Sequence, residues 1–205
     1  YKFRYRRVNP AGEIAYDTTA VRENGDINAT RLEAGLYGTI ERGTWNAKVY
    51  NYNSERGIPG AIVNNVWRRG ERVWDTNSFF QGSFVKEVND QFKTQVNAKY
   101  AFYRTHYVNN DDKLIEVDNL YKQREVYVST ANMYTIFPFW DVSMSYDFQW
   151  NEMKADMYGF VFPTRFTNLL SIATALRLGK VKLQGSGLAT FVNDRVKEGP
   201  APKAR

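Results

Sequence analysis

A strict two-residue alternation of polar and large apolar side chains runs from Asp141 to Trp150. Successive side chains of a β-strand point to opposite faces, so this pattern predicts a strand with one polar and one apolar face. The same rhythm recurs along the chain, and the connections between the alternating segments are short and long in turn. This combination predicts an antiparallel transmembrane β-barrel with lipid outside and water inside. The predicted apolar face of the segment holds Val142, Met144, Tyr146, Phe148 and Trp150.

Short turns and long connections set the predicted strand boundaries. Between them we count about nine strands, most of them reaching the roughly 9–11 residues that a tilted strand needs to cross a bilayer. Bacterial outer-membrane barrels have short periplasmic turns and long extracellular loops, so we expect the same arrangement here. The segment from Gln123 to Thr135 has no clear facing, and its faces stay unassigned. The turns are predicted at 41–44, 87–90, 137–140 and 179–180, and the long connections at 54–75, 108–122 and 151–163.

The two ends of the chain and the odd strand count favour a segment of a larger barrel. The chain begins inside an alternating segment and ends in the loop-like Pro-Ala-Pro-Lys-Ala-Arg. Complete single-chain bacterial barrels have an even number of strands. We therefore expect residues 1–205 to be part of one outer-membrane β-barrel domain of about 22 strands. A soluble β-sandwich is the alternative, but it would place polar faces outside and would have short loops at both ends.

Composition excludes several other classes. The 205 residues include no Cys, so there is no disulfide framework, thiolate metal site or Cys nucleophile. No run approaches the roughly 20 apolar residues of a spanning helix, although a barrel strand turns only half its residues to lipid. The net charge of +6 is spread along the chain, so no nucleic-acid partner is expected. The 16% of aromatic residues fits either a soluble β-rich core or the aromatic belts of a membrane protein.

The alternation divides the apolar and basic residues between lipid and lumen. Apolar residues on one face would lie in hydrocarbon, where a Lys or Arg at mid-depth costs about 2–4 kcal/mol. Basic residues on the other face would stay hydrated in the lumen. We expect Leu32, Leu36, Val49, Val142, Met144 and Phe148 to face lipid, and Lys2, Arg4, Lys48, Lys93 and Lys99 to face the lumen.

Four segments resemble a known family. Asn51 to Ala61, with its Arg-Gly-Ile-Pro-Gly sequence, is similar to a loop entry of TonB-dependent outer-membrane receptors, and Val73 to Gln81 resembles their return strand. Phe162 to Thr167 and Gly199 to Arg205 resemble further loop and strand boundaries of the same family. Together these segments look most like the branch that imports cobalamin and related corrinoids. The chain departs from the family pattern because it contains no plug domain, no energy-coupling box and no terminal aromatic residue.

The resemblance implies an active importer in the outer membrane of a bacterial cell, crossing the membrane many times. Its implied partners are outer-membrane lipid, a plug domain outside this chain, the TonB energy transducer, a surface-exposed capping lipoprotein and the cobalamin ligand. A ferric-siderophore receptor of the same family is the nearest alternative. A passive porin and a structural barrel are the alternatives from other classes.

The connection at 54–75 holds the residues expected to bind substrate. Aromatic, amide and basic groups on a loop suit a large amphipathic ligand that needs both apolar contact and hydrogen bonds. The alternative for each residue is packing of the loop on its neighbours or on a capping lipoprotein. The expected binding residues are Arg56, Ile58, Asn64, Asn65, Trp67 and Arg68.

No residue pattern points to catalysis or to a cofactor. Asp111 and Asp112 offer the oxygen ligands that calcium prefers, but their spacing lacks the EF-hand pattern and favours a solvated acidic loop. His106 is the only histidine, so it cannot form a His-ligand metal site by itself. A barrel hydrolase would also need a Ser and an orienting group beside it, and the sequence places neither there. We expect no enzyme activity and no cofactor.

Overall fold

The chain folds into ten β-strands over the residues that the structure, a computed structural model, describes: 2–60, 70–110 and 116–198. The expected count of about nine strands is wrong, because the sequence pattern does not predict the strand from Ile14 to Val21. The strands are β1 (Lys2–Val8), β2 (Ile14–Val21), β3 (Ile27–Ile40), β4 (Gly43–Gly57), β5 (Glu71–Glu87), β6 (Phe92–Asn109), β7 (Val117–Phe137), β8 (Trp140–Ala155), β9 (Val161–Leu178) and β10 (Val181–Glu198).

The strands of the described ranges form two antiparallel sheets. β1 and β2 form a two-stranded sheet, and β3 to β10 form an eight-stranded sheet in which each strand pairs with its neighbours in sequence. The larger sheet is therefore an all-antiparallel meander. Within the described ranges, β3 and β10 each pair on one side only, and neither strand of the smaller sheet lies against the larger one. The same ranges contain no helix of the length and apolarity needed to span a membrane.

Connections at the two ends of the larger sheet differ in length. At one end, which we call the turn end, two-residue turns join β3 to β4, β7 to β8 and β9 to β10, and four residues join β5 to β6. At the other end, the loop end, the connections are 58–70, 110–116 and 156–160, or 13, 7 and 5 residues. The expected alternation of short and long connections is confirmed. The expected long connections extend several residues too far, because the paired strands continue beyond the alternating part of the sequence.

Strand pairing assigns the residues of the larger sheet to two faces, because directly paired residues of an antiparallel ladder point to the same side. We name them the polar face, which holds Lys48 and Asp147, and the apolar face, which holds Val49 and Phe148. The pairing also resolves β7, which the sequence leaves unassigned. Val128 pairs with Phe148 and lies on the apolar face.

The residues expected to face lipid or lumen follow this division. The six apolar residues expected to face lipid all lie on the apolar face, and three of the five basic residues lie on the polar face. The other two, Lys2 and Arg4, belong to the smaller sheet, so the ladder of the larger sheet does not assign them. The apolar-face set is Leu32, Leu36, Val49, Val142, Met144 and Phe148, and the polar-face set is Lys48, Lys93 and Lys99.

Long stretches of the apolar face carry no charge. Side chains that point to this face include no Asp, Glu, Lys or Arg over Phe92–Phe102, Val126–Tyr134 and Trp140–Trp150, which span 11, 9 and 11 residues. At about 3.4 Å per residue and a tilt of about 45°, 11 residues cover about 24 Å, close to the apolar band of about 25 Å in outer-membrane barrels. Beyond each stretch, charges return on this face at the loop end.

The described residues build almost no hydrophobic core. Among the residues that the structure describes, only Val73, Ala101 and Ala155 are buried apolar residues, whereas Leu32 and Leu36 are 65% and 69% exposed. No second layer of described residues packs on the larger sheet. Contiguous apolar surface of this extent is rare on monomeric soluble proteins and marks a surface that contacts another partner. The apolar face therefore needs a cover that the described residues do not supply.

Candidate functional site

A single row of directly paired residues crosses the polar face through all eight strands of the larger sheet. Neighbours in such a row have Cβ atoms about 5 Å apart. The row, which we name the polar row, runs from the middle of β3 to the loop end of β10 and combines carboxylate, aromatic, amide and guanidinium groups. From β3 to β10 it consists of Glu33, Tyr50, Phe79, Ala101, Glu125, Asn151, Arg165 and Asp194.

The middle of the polar row packs around Lys99. The Lys99 ammonium donates to Glu125 Oε1 at 2.9 Å and to the Tyr103 hydroxyl at 3.3 Å. It also lies 5.7 Å from the centroid of the Phe79 ring, which stacks on Tyr50 at 4.7 Å. The Glu125 side chain is only 16% exposed, so its charge depends on this cation for compensation. The cluster presents a flat aromatic surface beside a neutralised ion pair.

Glu33 holds two cations at the β3 end of the row. Its carboxylate accepts from Lys48 Nζ at 2.6 Å and from Arg31 Nη2 at 2.8 Å. The Arg31 guanidinium also lies 5.3 Å from the centroid of the Tyr50 ring, within cation–π range. The aromatic surface is therefore bordered by basic groups on both sides, from Arg31 and from Lys99.

An open depression of about 620 Å³ lies on the polar face between β7 and β10. Its lining includes Glu125, Asn151, Arg165 and Asp194 from the polar row. Arg165 Nε and Nη2 each donate to one Asp194 oxygen at 2.7 Å, which is the bidentate geometry that fixes both side chains. This part of the face offers hydrogen-bond donors and acceptors to a hydrated polar group.

Two of the six residues expected to bind substrate lie at the base of the 58–70 connection. Arg56 lies one residue before the end of β4 on the polar face, where its Nη2 is 3.2 Å from Asp75 Oδ2. Asp75 also accepts from the Thr105 hydroxyl at 2.7 Å. The Ile58 backbone N–H donates to the Glu71 carbonyl at 3.0 Å, which closes the base of the connection. Both residues therefore have partners that hold the strand ends.

The segment between β2 and β3 forms hydrogen bonds to both ends of the 58–70 connection. Asn24, in the left-handed region at φ 53°, donates its amide to the Ile58 carbonyl at 3.1 Å and to the Glu71 carbonyl at 2.7 Å. Arg72 binds Asp26 at 2.8 Å through its guanidinium. This hydrogen bond from Arg72 lowers the pKa of Asp26 below its ordinary range. The start of the connection is thus ordered by partners from three strand ends.

The remaining expected loop residues fall outside the described ranges. Asn64, Asn65, Trp67 and Arg68 lie within 61–69, which is outside the described residues. Asp111 and Asp112, considered for calcium, and the segment 199–205 of the family resemblance lie outside as well.

His106 has an acidic and an aromatic neighbour rather than a metal site. Its Nε2 is 2.7 Å from Asp118 Oδ1, and its ring centroid is 5.3 Å from that of Trp74. Among residues 2–60, 70–110 and 116–198, no group of three His, Asp or Glu side chains is arranged to hold a metal ion.

The sequence does not reveal the Lys99 cluster as a unit. It places Lys99 on the polar face, but it does not join that residue to Tyr50, Phe79 and Glu125 on three other strands, because strand register is not visible in the sequence. One signal is present: Tyr50 and Phe79 are aromatic residues at positions where the alternation calls for polar ones. Such exceptions on a polar face indicate contact between side chains or with a ligand.

Comparison with protein-family models and with curated proteins finds no match for this chain. Among the described residues, the arrangement on the polar face offers a solute both aromatic contact, from Tyr50 and Phe79, and hydrogen bonds, from Asn151 and Arg165.

Proposed function

We propose that this chain forms part of the wall of a transmembrane β-barrel in a bacterial outer membrane. The main supporting observation is the length of the uncharged stretches on the apolar face, which span 9 to 11 residues along β6, β7 and β8. That length is what a tilted strand needs to cross the hydrocarbon of a bilayer. A soluble sandwich would need a second protein layer over this face, and the described residues supply none.

Polar side chains in the middle of the apolar face fit the same environment, because they are neutral and bind one another. Thr94 donates its hydroxyl to Asn132 Oδ1 at 2.7 Å, and Tyr146 donates to Asn168 Oδ1 at 2.6 Å. In hydrocarbon, polar side chains have no water to bind, so such pairing lowers the cost of their burial. Ion pairs away from the strand ends, such as Lys99 with Glu125, lie on the opposite face.

The proposed activity is energised import of a large, scarce solute, with cobalamin or a related corrinoid as the cargo. The polar face lines the lumen and meets a plug domain, and the polar row supplies hydrogen-bonding groups to that contact. The loop end faces the cell exterior and captures the cargo, with a capping lipoprotein above it. The TonB transducer pulls the plug and opens a path along the wall.

The choice of cargo comes from the loop motifs around Arg56 to Gly60, which resemble the corrinoid branch of the TonB-dependent receptors. The base of this connection suits capture, since the Asn24 amide donates to the carbonyls of Ile58 and Glu71 and holds the two strand ends together. A ferric-siderophore receptor is the same-family alternative.

Ligand binding by the full-length protein tests this function. We expect fluorescent cobalamin to bind saturably, to be displaced by unlabelled cobalamin and to remain bound in excess ferric siderophore. We also expect planar bilayers containing the protein to show no steady ion conductance, because a plug fills the lumen. Displacement of cobalamin by the siderophore would indicate a ferric-siderophore receptor instead. Steady ion conductance would identify a porin. If the protein binds neither ligand and shows no conductance, a structural barrel is the remaining alternative.

A further inference from the structure

Four basic side chains border the apolar face at the loop end. Arg104 on β6 pairs directly with Lys122 on β7, which pairs directly with Lys154 on β8. Arg124 lies on the same face, two residues from Lys122. All four residues are exposed. We name this set, Arg104, Lys122, Arg124 and Lys154, the basic border.

The arrangement is unfavourable unless an anion is present. Like charges directly opposite one another on adjacent strands destabilise a sheet, and here three cations stand opposite in succession with Cβ atoms about 5 Å apart. Lys154 binds Glu152 at 3.1 Å. Arg104, Lys122 and Arg124 form no ion pair or hydrogen bond with another residue in the described ranges.

Acidic groups on this part of the face do not neutralise the basic border. Glu152 pairs with Lys154, and it also stands directly opposite Arg124 in the ladder. Asp118 lies on the same face and binds His106 at 2.7 Å. Within β6, β7 and β8, this part of the face therefore holds two carboxylates against four cations, and the Asp118 carboxylate also binds His106. A third carboxylate, Asp156, follows β8, and its backbone N–H donates to the Leu120 carbonyl at 3.0 Å.

We propose that the basic border binds the phosphate of an anionic lipid headgroup. The inference rests on the proposed membrane function and adds the class of lipid that the wall recognises. Tyr100, Val126 and Trp150 are directly paired on the apolar face immediately inside the border. A ligand bound there would contact the cations of the basic border and the neighbouring apolar side chains at the same time. This combination suits a phosphate joined to acyl chains better than a free phosphate. Guanidinium groups such as those of Arg104 and Arg124 bind phosphate oxygens through paired N–H groups.

Lipid retention by the full-length protein tests the proposal. The delipidated protein in neutral detergent is offered dioleoyl phosphatidic acid or dioleoyl phosphatidylcholine, and retained lipid is measured by native mass spectrometry. Each cation near an anionic lipid strengthens its binding, so Arg104→Gln with Lys122→Gln should weaken retention of phosphatidic acid by roughly tenfold or more. The matched control is Lys182→Gln, which removes an exposed cation from the polar face at the turn end.

The outcomes separate this inference from the proposed function. The inference is supported if wild type preferentially retains phosphatidic acid, the double variant loses this retention and the control keeps it. In addition, inorganic phosphate at about 10 mM, a large excess over protein, should not displace the lipid. Equal retention by wild type and double variant would overturn it, and so would full displacement by inorganic phosphate. Insertion into phosphatidylcholine vesicles is measured in parallel. If wild type inserts but shows no lipid preference, only this inference fails, whereas failure to insert removes the proposed function and the inference together.

Discussion

The two faces of the eight-stranded sheet use the same backbone and differ in how their side chains are satisfied. On the polar face, charges away from the strand ends are compensated within the protein, as in the Lys99–Glu125 and Arg165–Asp194 pairs. On the apolar face, large side chains such as Leu36 are uncovered, and charges occur only toward the strand ends. The difference indicates that the polar face satisfies its charges with its own residues, whereas the apolar face needs an apolar environment that the described residues do not supply.

The strongest test of this contrast exchanges one residue on each face of β8. Met144→Arg places a charge in the middle of the apolar face, where hydrocarbon makes it cost about 2–4 kcal/mol. Ser145→Arg places the same side chain on the polar face and removes one hydrogen bond, Ser145 to Ser171 at 2.8 Å. We expect Met144→Arg to reduce assembly into vesicles far more than Ser145→Arg, measured as the fraction with heat-modifiable mobility. Equal loss in both variants would contradict the assignment of faces.

Variants of Asn24 test whether this residue holds the base of the 58–70 connection, apart from any contact on the two faces of the sheet. Asn24→Ala removes two hydrogen bonds to backbone carbonyls and places Ala at φ 53°, so it should weaken the base locally by about 2 kcal/mol. Asn24→Gly loses the same bonds without backbone strain and should cost about half as much. Hydrogen exchange at the Gly57 and Ile58 amides measures the effect. Unchanged exchange in both variants would show that Asn24 does not order the base.

A variant of Lys99 on the polar face measures how much this cation stabilises the charged Glu125 carboxylate. Lys99→Met leaves the mostly covered Glu125 carboxylate without its cation, and we expect a loss of about 1 kcal/mol in the free energy of unfolding from vesicles. Lys182→Met is the control, because it removes an exposed cation from the same face. Restoration of stability by adding Glu125→Gln to Lys99→Met would assign the loss to the unpaired charge. A loss as large in the control would refute that assignment.

The smallest expected effect is the acid titration of Asp26. Its pKa is lowered by the hydrogen bond from Arg72, so the folded pKa is below the unfolded one. The stabilisation is therefore complete above the unfolded pKa and is lost as pH falls through the folded pKa. The carboxyl carbon shift of Asp26 should titrate below the ordinary aspartate range, and Arg72→Gln should raise that midpoint. An unmoved midpoint would show that Arg72 does not stabilise the charged carboxylate.

Sequence alternation predicts the two faces and the turns, because both depend on local order. It misses β2, whose Asp17-Thr18-Thr19 stretch has no large apolar residue on either face. It also ends β8 too early, since Glu152 and Lys154 on the apolar face interrupt the alternation while the strand stays paired. Facing on β7 becomes clear only from the register with its neighbours.

The candidate site is less accessible to sequence reasoning than the fold. Arg56 and Ile58 are found as the base of a connection through their motif, but their partners Asp75 and Glu71 come from another strand. The Lys99 cluster and the basic border both arise from register across several strands. A shift of one residue in any ladder would move these groups to opposite faces, so composition and spacing along one strand cannot reveal them.

Lipid should cover the apolar face, and spin-label accessibility along β8 measures whether it does. The chain has no Cys, so single labels can be placed at positions 143 to 148 without a competing thiol. In vesicles, we predict high oxygen accessibility for labels at Met144, Tyr146 and Phe148, and low accessibility to a water-soluble nickel chelate. Labels at the alternate positions should be less accessible to oxygen. Labels at Met144, Tyr146 and Phe148 that are immobile and protected from both reagents would show a protein layer over this face and would contradict the account.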